Sequence, residues 1–225
     1  MLDKLKTDNL VSASSEYIKA IFQKCQYPWE LLPHISDYIR EIAENSEYGF
    51  TEIEKGVFVG QNVTIAKTAT VEAPAVIGSG TVIRPGAYIR GNVIIGERAV
   101  IGNSSEIKNS ILSDRAEVPH YNYVGDSVLG YHAHMGAGSI CSNFKLDGKN
   151  VKISFGNEKL ETGLRKLGAV IGDECDVGCG TVLNPGTVIG KNTAIYPLLS
   201  LRGVYPENSI VKTKELIVKK EKHVN

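Results

Sequence analysis

The sequence predicts an all-β solenoid, a parallel β-helix of about seven coils, because aliphatic residues recur every six positions over much of the chain. An even period keeps each of these side chains on one side of an extended strand, and no α-helix repeats at six. Short segments that each contain one inward aliphatic residue and then turn are typical of a β-helix. The residues at this spacing are Val59, Ile65, Val71, Ile77, Ile83, Ile89, Ile95, Ile101 and Ile107, and later Ile171, Val177, Leu183, Ile189, Ile195 and Leu201.

Three six-residue segments close one coil of about eighteen residues. Residues one coil apart are therefore expected to stack, as in the series Ile65, Ile83 and Ile101. Neighbouring coils would pair through backbone hydrogen bonds at roughly 4.8 Å. Glycine often follows the aliphatic position directly, and it is expected there because it permits backbone conformations that a side chain opposes. These glycines are Gly78, Gly96, Gly102, Gly172 and Gly190.

Residues 1–50 are predicted to form a helical segment that precedes the β-helix. Two apolar faces with helical spacing lie between residues 14 and 46, and prolines separate them. This pattern indicates a helical hairpin that caps the solenoid, whose terminal coils otherwise leave unpaired edges. The first face comprises Ile18, Ile21, Phe22 and Cys25, and the second Ile35, Tyr38, Ile39 and Ile42.

The β-helix itself is predicted over residues 51–205. Its spacing shortens to five at Leu112 and Leu129, so some corners are expected to tighten there. Residues 142–168 then interrupt the repeat with a polar, lysine-rich insertion. A long loop inside a regular domain is more often functional than accidental, although disorder is the other interpretation. Residues 206–225 are predicted to form a final strand and a solvated tail.

Composition limits the classes of partner. Twenty-five acidic residues balance twenty-five basic ones in 225 residues, so the net charge is zero. This balance gives no reason to expect binding to nucleic acid or to an anionic membrane, since both need excess basic surface. The sequence has no apolar stretch near membrane-spanning length and no basic-then-apolar secretory pattern, so we expect a cytoplasmic protein. The cysteines are too scattered for a disulfide framework.

Candidate chemical groups concentrate where the repeat is irregular, which is where functional sites are expected. Three of the five histidines, His120, His132 and His134, lie there. A neutral imidazole can accept a proton from an amine or hydroxyl that attacks a thioester. An arginine and Lys108 on adjacent coils would supply the two cations that a sugar phosphate requires. His132 is assigned no role.

Four stretches of the chain, residues 83–86, 106–109, 120–126 and 136–144, resemble the acetyltransferase domain of the bacterial bifunctional N-acetylglucosamine-1-phosphate uridylyltransferase/glucosamine-1-phosphate acetyltransferase. The resemblance covers roughly residues 60–144 and, more loosely, 169–200. It implies a left-handed β-helix, a homotrimer with sites between neighbouring chains, and acetyl-CoA as the acyl donor. Residues 1–50 cannot hold the nucleotide-binding domain of the bifunctional enzyme, so we expect a stand-alone acetyltransferase without uridylyl transfer.

By the same resemblance, His120 would be the general base, and Lys108 and Tyr123 would hold the sugar phosphate together with an arginine. The motif points to Arg84 for that arginine, whereas a coil of eighteen residues points to Arg90, beneath Lys108, which we favour on geometry. The positions along the donor would be Ala137, Asn143, Phe144, Cys179 and Pro197.

The chain departs from the family pattern at several of these positions. His134 replaces a sugar-binding asparagine, Phe144 a tyrosine, Cys179 a serine and Pro197 an alanine. The insertion displaces the loop that carries a further substrate lysine in the family. Its basic residues are candidates to replace that lysine: Lys149, Lys152, Arg165 and Lys166.

The function expected is CoA-dependent transfer of an acyl group, acetyl first of all, to an amino or hydroxyl sugar, with glucosamine 1-phosphate as the model acceptor. One alternative is a non-catalytic trimer that binds a sugar phosphate or nucleotide sugar. Any description of such a chain as a nucleotidyltransferase would come from the shared β-helix and not from an activity of its own. A remote alternative is a γ-class carbonic anhydrase-like metalloprotein, since residues 89–92 faintly resemble its Arg-Gly-Asp motif. The histidine spacing in this chain is wrong for its zinc ligands, so no metal is expected.

Overall fold

The computed structural model describes residues 2–156 and 158–220. Its body is a three-sided parallel β-helix, in which the chain visits a first, a second and a third face in turn. Within the described residues, the first and second faces have nine strands each and the third has seven. The predicted parallel β-helix is thereby confirmed, and it is longer than the seven coils expected.

All the strands of the three faces are short. The first face contains, in chain order, Thr51–Glu54, Val57–Val59, Ala75–Ile77, Val93–Ile95, Ser110–Leu112, Val128–Leu129, Ala169–Ile171, Thr187–Ile189 and Val204–Tyr205. The second contains Thr64–Ile65, Val82–Ile83, Val100–Asn103, Glu117–His120, His134–Met135, Asp176–Val177, Ala194–Ile195, Ser209–Val211 and Ile217–Lys219. The third contains Thr70–Glu72, Tyr88–Arg90, Glu106–Lys108, Tyr123–Gly125, Ile140–Cys141, Val182–Leu183 and Ser200–Leu201.

The six-residue spacing stacks as predicted. Ile65 pairs with Ile83 and Ile83 with Ile101, and all lie in or against one continuous apolar core. The corners also tighten where the spacing shortens, because Ile101 pairs with Val118 and Ile95 with Leu112, one residue short of a full coil. The coil therefore absorbs the five-residue steps without losing its inward column.

The glycines that follow the aliphatic positions have a different cause from the one expected. Gly78, Gly96, Gly102, Gly172 and Gly190 are absent from the residues with positive φ. The space that a Cβ atom would need at these glycines is instead occupied by the backbone of the next coil. A Cβ on Gly172, for example, would lie 2.7 Å from the backbone nitrogen of Lys191. Glycine is needed there because the stacked backbones approach closely.

The N-terminal segment is helical, as predicted, but it covers a side of the solenoid and not an end. Its α-helices are Thr7–Leu10, Glu16–Phe22 and Ile35–Glu44, and its 3₁₀-helices are Leu2–Leu5, Pro28–His34 and Ser46–Tyr48. They form one apolar cluster with the outward side chains of the first face, namely Val76, Ile94, Ile111, Val128, Val170 and Val188. Because this face is apolar on both sides, its outward side chains need a covering element that shields them from water.

Two buried carboxylates attach the start of this segment to the solenoid. Asp114 accepts hydrogen bonds from the backbone N–H of Ser14 at 2.6 Å and of Ser15 at 2.8 Å. Asp173 accepts from the backbone N–H and the hydroxyl of Ser12, both at 2.8 Å. The attachment is therefore polar at its edge and apolar at its centre.

The insertion 142–168 is an ordered element in its described part. Lys152–Phe155 and Glu158–Glu161 form an antiparallel hairpin. Val151, Ile153 and Leu167 belong to the same apolar cluster as the helices, so the insertion extends the cover of the first face. Of the predicted C-terminal strand and tail, residues 206–220 end in the antiparallel pair Ser209–Val211 and Ile217–Lys219, and residues 221–225 lie outside the described residues.

Candidate functional site

A concavity of about 570 Å³ opens on the third face, and basic and aromatic side chains line it. Three strands and the two ends of the insertion contribute to it. Its lining residues are Arg90, Lys108, Tyr123, Asn143, Phe144, Arg165 and Lys166. The sequence singled out all of them as site residues or as substitutes for the missing lysine, although it divided them between acceptor and donor.

Strand register explains why Arg90 and Lys108 meet. Ile89 pairs with Ile107, and both point into the core, so the residues that follow them point outward from adjacent coils. Arg84, the other candidate, is exposed after Val82–Ile83, at the corner between the second and third faces, and does not line the concavity. The eighteen-residue coil therefore places Arg90, and not the motif arginine Arg84, beside Lys108.

Asp126 organises the floor of the concavity, and the sequence reasoning gave it no role. Its side chain is 7% exposed. It accepts hydrogen bonds from the amides of Asn109, at 2.8 Å, and of Asn143, and its carboxylate lies 3.4 Å from the Nζ atom of Lys108. The sequence pointed to Asp126 all the same, because this residue ends the Tyr-Val-Gly-Asp motif of residues 123–126, one of the stretches that carry the family resemblance.

Gly125 leaves room for the Tyr123 side chain to lie against the backbone of the motif. A Cβ at position 125 would stand 2.5 Å from the hydroxyl oxygen of Tyr123 and 2.7 Å from the Nδ2 atom of Asn143. Asn143 also donates a hydrogen bond to the Tyr123 hydroxyl at 3.2 Å. Burial raises the pKa of Tyr123, and the carboxylates of Asp126 and Glu106 raise it further, so the phenol stays protonated near neutral pH.

The four cations of the concavity are not equivalent. Arg90 pairs with Glu106 at 2.7 Å, and Lys108 pairs with Asp126. Within residues 2–156 and 158–220, Arg165 and Lys166 have no carboxylate within salt-bridge distance. The Arg165 guanidinium instead lies over the Phe144 ring, 5.7 Å from its centroid. The concavity therefore keeps uncompensated positive charge on the side of the insertion.

Four other candidates, His120, Ala137, Cys179 and Pro197, lie elsewhere, in a column along the corner between the second and third faces. Backbone hydrogen bonds connect its successive levels: Tyr121 to Asn103, Gly138 to His120, Gly180 to Ala137 and Leu198 to Cys179, each at 2.9 Å. His120, Ala137, Cys179 and Pro197 thus follow one another up this corner column. Of the proposed donor positions, only Asn143 and Phe144 lie in the concavity instead.

His120 ends a strand of the second face, and its side chain is exposed. The chain then passes the corner and enters the third-face strand Tyr123–Gly125, so His120 and Tyr123 lie on either side of that corner. His134 also lies on the second face, with its Nδ1 atom 3.7 Å from a carboxylate oxygen of Asp176. His132 pairs with Glu174 at 2.7 Å.

Two of the four lysine substitutes do not reach the concavity. Lys152 forms an ion pair with Glu161 across the hairpin, and Lys149 is exposed near the start of the insertion. No group of three or more potential metal ligands occurs in the part of the chain that the structure describes. Among the described helices, none has the length and apolar character needed to cross a membrane.

Fold and site together define a hexapeptide-repeat β-helix protein with a cationic concavity. Residues 71–159 match the family model described as the GMPPB C-terminal domain. The match includes Arg90, Lys108, His120, Tyr123 and Asn143 but ends before Arg165.

Curated relatives share the same part of the sequence. A bifunctional sugar-1-phosphate nucleotidylyltransferase/acetyltransferase of Sulfurisphaera tokodaii is 38% identical over 92 residues, which are 41% of this chain and 23% of that protein. The bifunctional protein GlmU of Methanococcus aeolicus is 36% identical over 118 residues, 52% of this chain and 28% of that protein. The chain spans about a quarter of the length of these relatives.

Among solved structures, a mutant of perosamine N-acetyltransferase from Caulobacter crescentus aligns with a TM-score of 0.43 at 18% identity, over 71% of this chain and 57% of that chain. The sequence relatives confirm the resemblance that the motifs predicted. Over 41–52% of its length, the chain is similar to part of these bifunctional proteins.

Proposed function

We propose that this protein transfers an acetyl group from acetyl-CoA to an amino or hydroxyl group of a phosphorylated sugar, with glucosamine 1-phosphate as the model acceptor. The observation that carries the proposal is the meeting of Arg90, Lys108 and Tyr123 in one concavity on the third face. Two cations and a phenol in one concavity suit a sugar phosphate, because charge-assisted hydrogen bonds are the strong ones. The name of the Sulfurisphaera relative, which includes acetyltransferase, supports the same chemistry.

In this proposal His120 is the general base. Its imidazole accepts the proton from the acceptor nitrogen or oxygen as that atom attacks the thioester carbonyl carbon of acetyl-CoA. The new C–N or C–O bond forms, the C–S bond breaks, and the CoA thiolate leaves and takes up a proton. An imidazole suits this step because histidine is the side chain that most often serves as a general base.

The donor would run along the corner column, past Ala137, Cys179 and Pro197. From His120 this column rises by one coil, roughly 4.8 Å, at each level. It therefore offers an extended track for the long pantetheine arm that starts at the reacting thioester. His134, Asn143 and Phe144 would complete the site, and the protein would be a homotrimer with sites between neighbouring chains.

The test measures CoA release and acetylated product with acetyl-CoA and glucosamine 1-phosphate. His120→Ala should lower turnover by about 10²- to 10⁴-fold. His132→Ala is the matched control, because this exposed histidine pairs with Glu174 and has no proposed role. Unchanged turnover in His120→Ala would refute the base assignment. Sugar-phosphate binding with no CoA consumption by the parent protein would favour the non-catalytic binding protein.

A further inference from the structure

The base of the 142–168 insertion is fixed beside the concavity. Phe144 and Lys166 form an antiparallel bridge, and the backbone N–H of Leu167 donates to the carbonyl of Asn143 at 3.0 Å. Leu167 is buried in the apolar cluster on the first face. The backbone that carries Arg165 and Lys166 is therefore held from both directions, although both side chains are exposed.

The insertion supplies charge that the strands do not. Arg90 and Lys108 come from regular strands and already have carboxylate partners at 2.7 and 3.4 Å. Arg165 and Lys166 come from the insertion and have none in the described parts of the chain, residues 2–156 and 158–220. An anion entering the concavity would meet its strongest uncompensated attraction on the insertion side.

The geometry of Arg165 suits a planar, two-point contact. Its guanidinium lies over the exposed ring of Phe144, 5.7 Å from the ring centroid, and this cation–π contact favours a position of the N–H donors beside the concavity. A phosphate monoester carries a charge of about −1.5 to −2 near neutral pH and offers three acceptor oxygens. Guanidinium and phosphate commonly pair through two parallel hydrogen bonds.

We propose that Arg165 and Lys166 form an anion subsite that binds a phosphate group of the acceptor and thereby sets the specificity of the concavity. The subsite rests on the proposed function only for the identity of the sugar. Two sources share the chemistry, namely the monophosphate of a sugar 1-phosphate and the diphosphate of a nucleotide-linked sugar. A neutral sugar would gain nothing from these two side chains.

The experiment is calorimetric titration of the full chain with glucosamine 1-phosphate, with UDP-N-acetylglucosamine and with glucosamine, none of which requires turnover. The double variant Arg165→Ala and Lys166→Ala should weaken binding of a phosphate-bearing probe by about tenfold, since a hydrogen bond to a charged group is lost. Lys149→Ala is the matched control, because it removes one positive charge from the same insertion away from the concavity. It should leave the affinity unchanged.

The outcomes separate the alternatives. A loss for glucosamine 1-phosphate supports a monophosphate subsite, and a loss confined to UDP-N-acetylglucosamine supports a diphosphate subsite. Arg165→Lys should keep part of the affinity, because it keeps the charge but not the planar donor pair. Equal affinities in the double variant and the parent, an equal loss in Lys149→Ala, or no binding of either phosphate probe would overturn the proposal. Phosphate binding that depends on Arg165 in a protein without acetyl transfer leaves the subsite standing and removes the proposed function alone.

Discussion

Replacement of Asp126 by alanine should destabilise the protein more than removal of any exposed carboxylate on the third face. Both oxygens of this buried carboxylate are used: one accepts from Asn109, and the other from Asn143 and Lys108. Alanine would leave the two amides without their acceptor and the Lys108 ammonium without its counter-charge. Unpaired buried polar groups cost more than the original hydrogen bonds gain.

The magnitude follows from burial. Removing one partner of a fully buried ion pair costs about 3–5 kcal/mol. The Lys108 side chain is 25% exposed, so water recovers part of this loss. We therefore expect Asp126→Ala to lower the free energy of unfolding by about 3 kcal/mol. Asp126→Asn keeps the shape and one acceptor oxygen, so it should lose about half as much.

Glu106→Ala provides the matched control. Glu106 pairs with Arg90 on the same face, but the two side chains are 32% and 41% exposed. An ion pair of this kind contributes about 1 kcal/mol or less. Urea denaturation of the three variants and the parent gives the free energies, provided that the slope m is unchanged. A loss in Asp126→Ala no larger than that in Glu106→Ala would show that Asp126 does not organise the floor of the concavity.

Three further predictions concern the arginine pair, acid stability and the helical cover. Arg90→Ala should weaken glucosamine 1-phosphate binding by about tenfold in calorimetry, and Arg84→Ala should not. The reverse result would show that Arg84, the arginine of the motif, binds the phosphate. Burial opposes ionisation of Asp114, but hydrogen bonds from backbone N–H donors outweigh this effect and lower the pKa of Asp114 below the ordinary 3.8. The stability that Asp114 contributes is therefore present above pH 3.8 and declines as the pH falls through the lower pKa of the folded state. Urea midpoints of the parent should fall faster on acidification than those of Asp114→Asn, and parallel curves would contradict this. Ile111→Ala should cost about 2–5 kcal/mol in urea denaturation, because the fully buried side chain joins the helices to the first face, and a loss below about 1 kcal/mol would argue against the cover.

The period of the solenoid could be predicted because it repeats a local requirement. Each six-residue segment places one aliphatic side chain inward, so residues such as Ile83 and Ile101 indicate their stacking without any knowledge of the rest of the chain. The short steps at Leu112 and Leu129 were equally local. The handedness of the coil came from resemblance, because spacing alone is the same in either hand.

The position of the helical segment could not be predicted in the same way. Its apolar faces predicted helices, but the surface that receives them is a column of outward residues such as Ile94 and Ile111, which are about one coil apart in sequence. Consecutive apolar residues in those strands, as in Val93–Ile95, carried the signal that this face is buried on both sides.

By itself the sequence determined the β-helix, its core column, the helical nature of the N-terminal segment and most of the residues with site chemistry. The coil spacing favoured Arg90 over Arg84 as the neighbour of Lys108, and the tertiary structure decided it. Only the tertiary structure showed that Asp126 holds the floor and that Arg165 and Lys166 return to the concavity from the far end of the insertion. The reason is that local spacing fixes which side of a strand a residue occupies. Which coils become neighbours depends on the register of the whole solenoid, and where an insertion ends depends on what its hairpin packs against.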